Sequence, residues 1–316
     1  MEDRILNYKT IIYILWICVL AGCTFEVRDH INSGSNYLEL GKVDESIEEF
    51  KKALELNPKN VTAHIYLGHA YEKKGMVDEA IAQYKEALAL NPRSANAHAS
   101  LGLAYARKGM LNEAIAEYEE VVDTYPSFAE PYYMMGLAYG ENGMLNEAII
   151  CFKKAIKLNP DYIEAHLYLG LAYDSRGDTQ EAIGEFQKVL ELRPQDAVAS
   201  VSLADTYKNL GLEYEQKGEL DEAILYLKKA TEINLGLIDA HMHLGEIYQE
   251  KGMMQEAISE YQQVISLSPE SADAHKELAL ALEKVGLHGM AETEMEIYMK
   301  LMKNKKKMEE KKEEEK

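Results

Sequence analysis

The 316-residue chain contains only three cysteines and one tryptophan. Two of the cysteines, Cys18 and Cys23, lie with Trp16 in the N-terminal segment, and only Cys151 lies elsewhere. If the chain is cleaved before Cys23 and Cys23 is lipidated, Cys151 is left without a partner for an intrachain disulfide, and no cysteine-based metal cluster can form. The fold must therefore be stabilised by packing, and we interpret Cys151 as a small packing residue.

Basic residues are also scarce. The chain has 34 lysines and arginines against 54 aspartates and glutamates, so its formal net charge is −20. Nucleic acid is therefore a poor partner, whereas a basic or apolar protein segment is electrostatically acceptable. The chain also lacks a Gly-rich phosphate loop, a His-Glu-x-x-His motif and a Gly-x-Ser-x-Gly motif. We predict no enzyme activity, no cofactor and no small-molecule substrate.

Proline is scarce and regularly placed. Six of the seven prolines occupy one position of a repeating pattern: Pro58, Pro92, Pro126, Pro160, Pro194 and Pro269. One copy of the pattern contains Leu67-Gly68, Tyr71, Gly75, Glu79-Ala80-Ile81, Tyr84 and Pro92. The pattern returns after 34 residues, as from Gly68 to Gly102. A fixed period of this size is typical of a solenoid of short helices.

Eight copies can be placed by a small residue and a second small residue twelve positions later. The pairs are Gly34/Ser46, Gly68/Ala80, Gly102/Ala114, Gly136/Ala148, Gly170/Ala182, Gly211/Ala223, Gly245/Ala257 and Ala279/Ala291. The pattern resembles the tetratricopeptide repeat over about residues 27–302. This resemblance implies an all-α fold, a right-handed superhelical solenoid of about eight helix-turn-helix units.

The residue types have physical reasons. Small residues such as Gly68 and Ala80 allow two helix axes to approach closely. A glycine such as Gly75 tolerates the left-handed turn that ends the first helix, and Pro92 stops the second helix. An aromatic ring such as Tyr84 fills the space between helices. No copy buries its apolar face alone, so stacking of copies supplies the core.

Three segments depart from the regular pattern. The sixth copy, residues 197–237, repeats half of the motif, which lengthens its first helix by about 10 Å at 1.5 Å per residue. The eighth copy has Leu282 and Met295 where other copies have aromatic residues, as expected of a C-terminal cap. Residues 303–316 are a charged Lys/Glu tail without an apolar stripe, so we expect either a fraying helix or a disordered tail.

The N-terminus carries an apolar run from Ile11 to Leu20, which is too short to span a bilayer but suits a signal peptide. The run closes with Leu20-Ala21-Gly22-Cys23, which is similar to the bacterial lipobox. That resemblance implies a lipoprotein signal peptide at 1–22, lipidation of Cys23 and a tether at 23–26. The alternative is an uncleaved signal anchor.

Nine histidines could suggest metal chemistry, but six of them share one repeat position. These six are His30, His64, His98, His166, His241 and His275. Because they follow the repeat, packing explains them. His241 and His243 are two residues apart and point to different faces of a helix. We therefore predict no metal site.

In the tetratricopeptide family, the first helices of the copies line a concave groove through residues beside the Leu-Gly pair. By position, the predicted groove residues are Ile65, Tyr66, His69, Leu103, Tyr133, Met134, Leu137, Leu167, Tyr168, Leu171 and Leu212. These residues are aromatic and aliphatic, whereas the seventh copy contributes polar ones such as His243 and Glu246. An apolar stripe of this kind suits an amphipathic helix or an extended peptide.

The architecture resembles that of lipoproteins with these repeats that serve envelope or pilus assembly. We predict a scaffold protein, anchored by the Cys23 lipid in a bacterial cell membrane or outer membrane, that binds apolar or basic segments of other proteins in the groove. Two alternatives stay open. One is a cytoplasmic or signal-anchored scaffold, and the other is a non-catalytic subunit of a glycosyltransferase-type enzyme.

Overall fold

The computed structural model describes residues 25–314, with side chains described as far as residue 309. Over these residues the chain forms 16 helices and no strand. Each copy of the repeat contributes an odd-numbered A helix and an even-numbered B helix. The helices are α1 (residues 25–39), α2 (Val43–Leu56), α3 (Val61–Lys73), α4 (Val77–Leu90), α5 (Ala95–Arg107), α6 (Leu111–Thr124), α7 (Ala129–Glu141), α8 (Leu145–Leu158), α9 (Ile163–Arg176), α10 (Thr179–Leu192), α11 (Ala197–Gln216), α12 (Leu220–Ile233), α13 (Ile238–Glu250), α14 (Met254–Leu267), α15 (Ala272–Lys284) and α16 (His288–Glu314).

The helices belong to two compact units. The first unit ends at Ala165 and contains α1 to α8, and the second unit begins at His166, within α9. Within each unit, the A and B helices of a copy pack as an antiparallel pair, and each pair packs on the next. The predicted all-α fold of stacked helix pairs is therefore confirmed within each unit.

A glycine ends each A helix. Gly75 has a φ of +83°, in the left-handed region that glycine tolerates best. Its N–H donates to the carbonyl of Glu72 (2.9 Å), and the N–H of Met76 donates to the carbonyl of Tyr71 (2.9 Å). These two bonds form a Schellman motif, which satisfies the last carbonyls of the helix. The other A helices end at glycines with the same conformation: Gly41, Gly109, Gly143, Gly177, Gly218, Gly252 and Gly286.

The Asn-Pro segments join one copy to the next. After α4 ends at Leu90, the Asn91 side chain accepts a hydrogen bond from the backbone N–H of Arg93 (3.2 Å). Pro92 cannot continue the helix. The Ser94 side chain then accepts from the N–H of Ala97 (3.4 Å) and so caps the N-terminus of α5. The same capping bond occurs at Asn60, Asp196 and Ser271, whereas Phe128 and Leu237 begin their A helices without one.

The closest approach between helices is the contact of an A-helix glycine with a B-helix ring. A Cβ atom added to Gly68 would lie 2.3 Å from Cε1 of Tyr84, which is far inside van der Waals contact. Tyr84 is fully buried at this contact. The same approach occurs in the pairs Gly34/Phe50, Gly102/Tyr118, Gly136/Phe152, Gly170/Phe186, Gly211/Leu227 and Gly245/Tyr261. The glycine is therefore required by the distance between the two helices.

The six recurring histidines join the A and B helices of their own copies. Nδ1 of His98 donates to Oε2 of Glu117 (2.7 Å), and its Nε2 lies 3.1 Å from the carbonyl oxygen of Pro92. In every case the partner lies 19 residues later on the B helix, in the pairs His30/Glu49, His64/Gln83, His98/Glu117, His166/Glu185, His241/Glu260 and His275/Glu294. These histidines therefore have a structural role.

Cys151 takes the B-helix position of this pair in the fourth copy. It is buried in the core of the first unit with Tyr118 and Met135. Burial raises the pKa of the Cys151 thiol to about 11, so the thiol stays protonated near neutral pH. The side chain packs as a small apolar group.

Two helices are longer than the others. α11 has 20 residues against 13 in α13, and α16 runs for 27 residues from His288 into the charged tail as far as Glu314. No helix among residues 25–314 is both long and apolar enough to cross a membrane. The predicted lipidation residue, Cys23, and the apolar run before it lie outside the described residues.

Two alanine substitutions test the role of the close glycine contact. Gly170→Ala places a Cβ 2.7 Å from the fully buried Phe186 and should lower stability by about 1–3 kcal/mol. Gly184→Ala is the control, because Gly184 lies in the interior of α10 with no atom within 4 Å of a new Cβ. It should raise stability by about 0.5–1 kcal/mol. Chemical denaturation measures both changes, and equal effects of the two substitutions would refute the contact argument.

Candidate protein-binding face

The A helices carry a row of half-buried and exposed apolar side chains, which we call the A-helix face. In the first unit it consists of Tyr66, His69, Leu103, Met134 and Leu137, and in the second unit of Leu167, Tyr168, Leu171 and Leu212. All nine residues are among those predicted to line a groove. The exposed fractions of Tyr66 and Tyr168 are 37% and 39%, so both rings are partly open to solvent.

Two of these residues lie in a depression between α1 and α3. Tyr66 and His69 form one wall with Lys73, and residues of α1 form the other wall. The volume of this depression is about 280 Å³. Nε2 of His69 lies 2.9 Å from Oγ of Ser100 on α5, and burial lowers the pKa of the His69 imidazole. This site therefore presents a neutral imidazole beside an exposed phenol ring.

A second depression lies between α5 and α7. It brings together Leu103, Met134 and Leu137, three of the predicted groove residues, in a volume of about 220 Å³. Arg107 and Glu141 contribute charged groups, while the remaining lining residues are Ala106, Tyr118 and Ala138. The depression thus has mainly apolar walls and two charged side chains, a composition that suits one apolar side chain of a bound peptide.

A buried carboxylate connects the second and third copies near this depression. The Tyr84 hydroxyl donates to Oε2 of Glu72 (2.6 Å), and Nη1 of Arg107 donates to Oε1 of the same carboxylate (3.0 Å). The Glu72 side chain is only 7% exposed, so both donors compensate for its burial. Burial and the Glu72 carboxylate raise the pKa of Tyr84, which keeps the hydroxyl as a donor.

The third copy lacks this arrangement. Ala106 occupies the position that Glu72 has in the second copy, and the buried Tyr118 hydroxyl has no hydrogen-bond partner among the described side chains and backbone. Burial is also the main reason that the pKa of Tyr118 is raised. A buried hydroxyl without a partner is unfavourable.

One predicted groove residue needs correction, and a second also takes part in packing. Ile65 is only 9% exposed and packs in the core of the first unit, so its side chain is not part of an accessible surface. Tyr133 is half-buried, with its ring centroid 6.1 Å from that of Phe152 and 5.0 Å from that of Tyr162. We define the A-helix face without Tyr133, whose place in the groove stays a prediction.

The second unit has a more polar continuation of the face. Leu212 packs against the core of this unit, while the inner sides of α11, α13 and α15 carry Glu215, His243, Glu246 and Glu277. Sequence reasoning identified His243 and Glu246 as polar residues of the seventh copy. It missed Glu72, Arg107, Glu215 and Glu277, because these residues do not recur in each copy. Glu72, Arg107 and Glu215 follow the Leu-Gly pair of their copies by about one helical turn, and that spacing was the available clue.

Comparisons with protein families agree with the repeat pattern. A family model described as TPR repeat matches residues 34–75, 73–109, 106–143 and 250–286. Two models described as tetratricopeptide repeat match residues 133–197 and 204–235. A comparison with curated proteins gave no match.

Several solved structures are similar to parts of the chain. A crystal structure of MamA protein is 30% identical, covers 54% of this chain and 94% of that chain, and has a TM-score of 0.50. MamA 41-end from Desulfovibrio magneticus RS-1 is 26% identical, covers 54% of this chain and 98% of that chain, and has a TM-score of 0.51. The C-terminal part of a TPR repeat-containing protein from Cytophaga hutchinsonii is 20% identical, covers 78% and 99% of the two chains, and has a TM-score of 0.63. At 20% identity, this last likeness shows the fold alone.

Removal of single hydroxyl groups tests the two tyrosine environments. Tyr84→Phe removes a donor from the buried Glu72 carboxylate and should lower stability by about 1.5–3 kcal/mol. Tyr118→Phe removes a buried hydroxyl without a partner and should raise stability by about 1 kcal/mol. Urea denaturation of the two variants measures both values, and a similar loss of stability in the two variants would contradict this description of the site.

Proposed function

Because this chain belongs to the tetratricopeptide repeat family and is a protein-interaction scaffold, we propose that it is a membrane-anchored adaptor of the bacterial cell envelope whose A-helix face binds a peptide or helix of a partner protein. One observation carries the proposal for the binding face. Adjacent A helices bring Leu103, Met134 and Leu137 together around one depression. The depression that contains Tyr66 and His69 lies on the same set of A helices.

The chemistry of the face indicates how the partner binds. Exposed aromatic and aliphatic side chains gain free energy when a partner removes them from water, at about 25 cal/mol per Å² of apolar area. Two depressions of about 220 and 280 Å³ suit successive side chains of one segment. An amphipathic helix or an extended peptide presents several apolar side chains along one side. The partner therefore supplies apolar anchors.

Charge adds selectivity to this binding. The chain has a formal net charge of −20, and the polar part of the face in the second unit carries Glu215, Glu246 and Glu277. A basic residue next to the apolar anchors would be attracted to these carboxylates. The same charge repels the phosphates of nucleic acid. We therefore propose that the partner is a protein segment with apolar and basic residues.

The proposed location depends on the N-terminal sequence. Leu20-Ala21-Gly22-Cys23 closes an apolar run, as in bacterial lipoprotein precursors, and α1 is described from residue 25 onward. With Cys23 lipidated and the signal peptide removed, the first helix pair would follow the anchor directly. The face would then act close to a bacterial cell membrane or outer membrane, on its periplasmic or exterior side.

The lipid anchor is tested by labelling with a radioactive fatty acid. Cys23→Ala should abolish the label, whereas Cys151→Ala should keep it, because Cys151 is buried in the first unit. An inhibitor of the lipoprotein signal peptidase should cause precursor to accumulate. The mature protein should also lack tryptophan fluorescence, since Trp16 is the only tryptophan. A purified membrane form that retains tryptophan fluorescence would contradict the anchor.

The binding face is tested with a partner that is captured by crosslinking in membranes and then purified. The double variant Tyr66→Ala, Tyr168→Ala removes one exposed aromatic ring from each unit. It should weaken binding by about 2 kcal/mol or more, because binding energy concentrates in a few aromatic anchors. Helical content should not change.

A matched control uses an exposed apolar residue outside the face. Ile150 lies on the B helix α8 and is 67% exposed. Ile150→Ala should leave the affinity unchanged in a calorimetric titration. Equal affinities of the control and the double variant would show that the partner binds elsewhere on the protein.

A further inference from the structure

The inner sides of α11 and α13 bring together one imidazole and two carboxylates. Glu215 lies in the last turn of α11, and His243 and Glu246 lie one turn apart on α13. Their nearest ligand atoms all lie within 4.8 Å of one another. We propose that these three side chains form a binding site for a divalent transition-metal ion such as Zn²⁺. The site shares Glu215 and Glu246 with the polar part of the A-helix face, but binding of an ion there does not require a partner protein.

The distances fit a small coordination sphere. Nδ1 of His243 lies 2.9 Å from Oε2 of Glu215 and 3.7 Å from Oε2 of Glu246. Zinc binds nitrogen and oxygen ligands at about 2.0–2.2 Å, and in a tetrahedron this places the ligand atoms about 3.3–3.5 Å from one another. The observed separations lie on both sides of that value. Small side-chain rotations are enough to place the three atoms around one ion.

His243 differs from the six structural histidines. The neighbouring His241 belongs to that set, and its Nδ1 donates to Glu260 (2.6 Å). Nδ1 of His243, in contrast, is closed to solvent and makes no aligned hydrogen bond with the described residues, although Glu215 is 2.9 Å away. Because Nδ1 of His243 is close to Glu215 but is not hydrogen-bonded to it, the lone pair of this nitrogen can bind a metal ion. A metal ion between the imidazole and the carboxylates satisfies this atom.

The charges around the site favour a cation. The Glu246 carboxylate lies near those of Glu215, Glu277 and Asp273, and of these Glu277 pairs with Lys276 at 2.9 Å. Bringing these like charges together is unfavourable unless a positive charge neutralises them. A divalent ion supplies this charge without adding bulk.

The donor set distinguishes between classes of cation. One imidazole nitrogen with two carboxylates suits zinc, nickel or cobalt, whereas calcium and magnesium prefer oxygen ligands alone. The Glu246 side chain is 49% exposed, so one side of the site stays open to water or to a further ligand. Zinc sites that bind water or a further ligand commonly have three protein ligands and one open position, whereas structural zinc sites have four protein ligands.

Binding of Zn²⁺ to the purified, tag-free full chain, in the absence of any partner protein, tests the proposal. Isothermal titration calorimetry should show saturable binding with one ion per chain. His243→Ala and Glu215→Gln should each weaken the affinity by about tenfold or more, since even outer-shell changes weaken metal sites by about 10–100-fold. Co²⁺ should give the intense visible absorption of a low-coordinate site, and this absorption should be lost in His243→Ala.

His288→Ala is the matched control, because His288 is a surface histidine that pairs with Glu283 at 2.9 Å outside the site. It should bind Zn²⁺ like the unmodified chain. Circular dichroism establishes that each variant is folded, and His243→Gln replaces His243→Ala if the latter is not. Absence of saturable binding, or binding that His243 substitutions leave unchanged, would overturn the proposal. In the first case the carboxylates would serve only the basic residues of a protein partner.

Discussion

The contact between an A-helix glycine and a B-helix ring determines the rest of this structure. At Gly68 and Tyr84 there is no space for even one additional carbon atom, and the same approach recurs in copies of both units. The two helices of a copy therefore have one spacing, and the ring at the contact is buried. Because the ring comes from the B helix, this contact uses only the side of each A helix that faces the B helix. The A-helix face is the surface that we propose for binding.

Polar interactions then set the register of the helix pairs. The recurring histidines reach a carboxylate or amide 19 residues later, and the Schellman turns satisfy the carbonyl groups at the ends of the A helices. Between copies, the Glu72 carboxylate receives hydrogen bonds from Tyr84 and Arg107. These interactions connect α3, α4 and α5, and Arg107 also lines the depression that contains Leu103, Met134 and Leu137. The proposed binding surface is thus joined through Arg107 to the contacts between the second and third copies.

Most of the fold could be predicted because the decisive residues recur. Gly75 and its equivalents are required by a backbone conformation with positive φ, and Gly68 is required by the close approach of a ring. Because these glycines recur every 34 residues, the sequence pattern identifies them. The site was less predictable. Ile65 and Tyr66 are neighbours about 100° apart on one helix, and a small rotation of α3 decides which side chain faces the core. The position of a residue in the repeat does not by itself predict the rotation of α3 about its axis.

Features that occur in only some of the copies were the hardest to predict. Glu72 has no equivalent in the next copy, where Ala106 leaves the Tyr118 hydroxyl without a partner among the described residues. His243 follows the structural His241 by two residues on α13. Its imidazole nevertheless lies beside Glu215, which belongs to α11. Such pairs depend on distances between neighbouring A helices, which the spacing of residues along the chain does not reveal. Only the packed structure shows that these residues meet.

The most direct test of the central claim is site-specific photocrosslinking in living cells. A photoreactive amino acid would be placed at Leu137 or Tyr168 on the A-helix face, and at Ile150 on a B helix. The account predicts one and the same partner adduct from both A-helix positions and none from position 150. Adducts from position 150 alone would contradict the claim that the A helices form the binding surface.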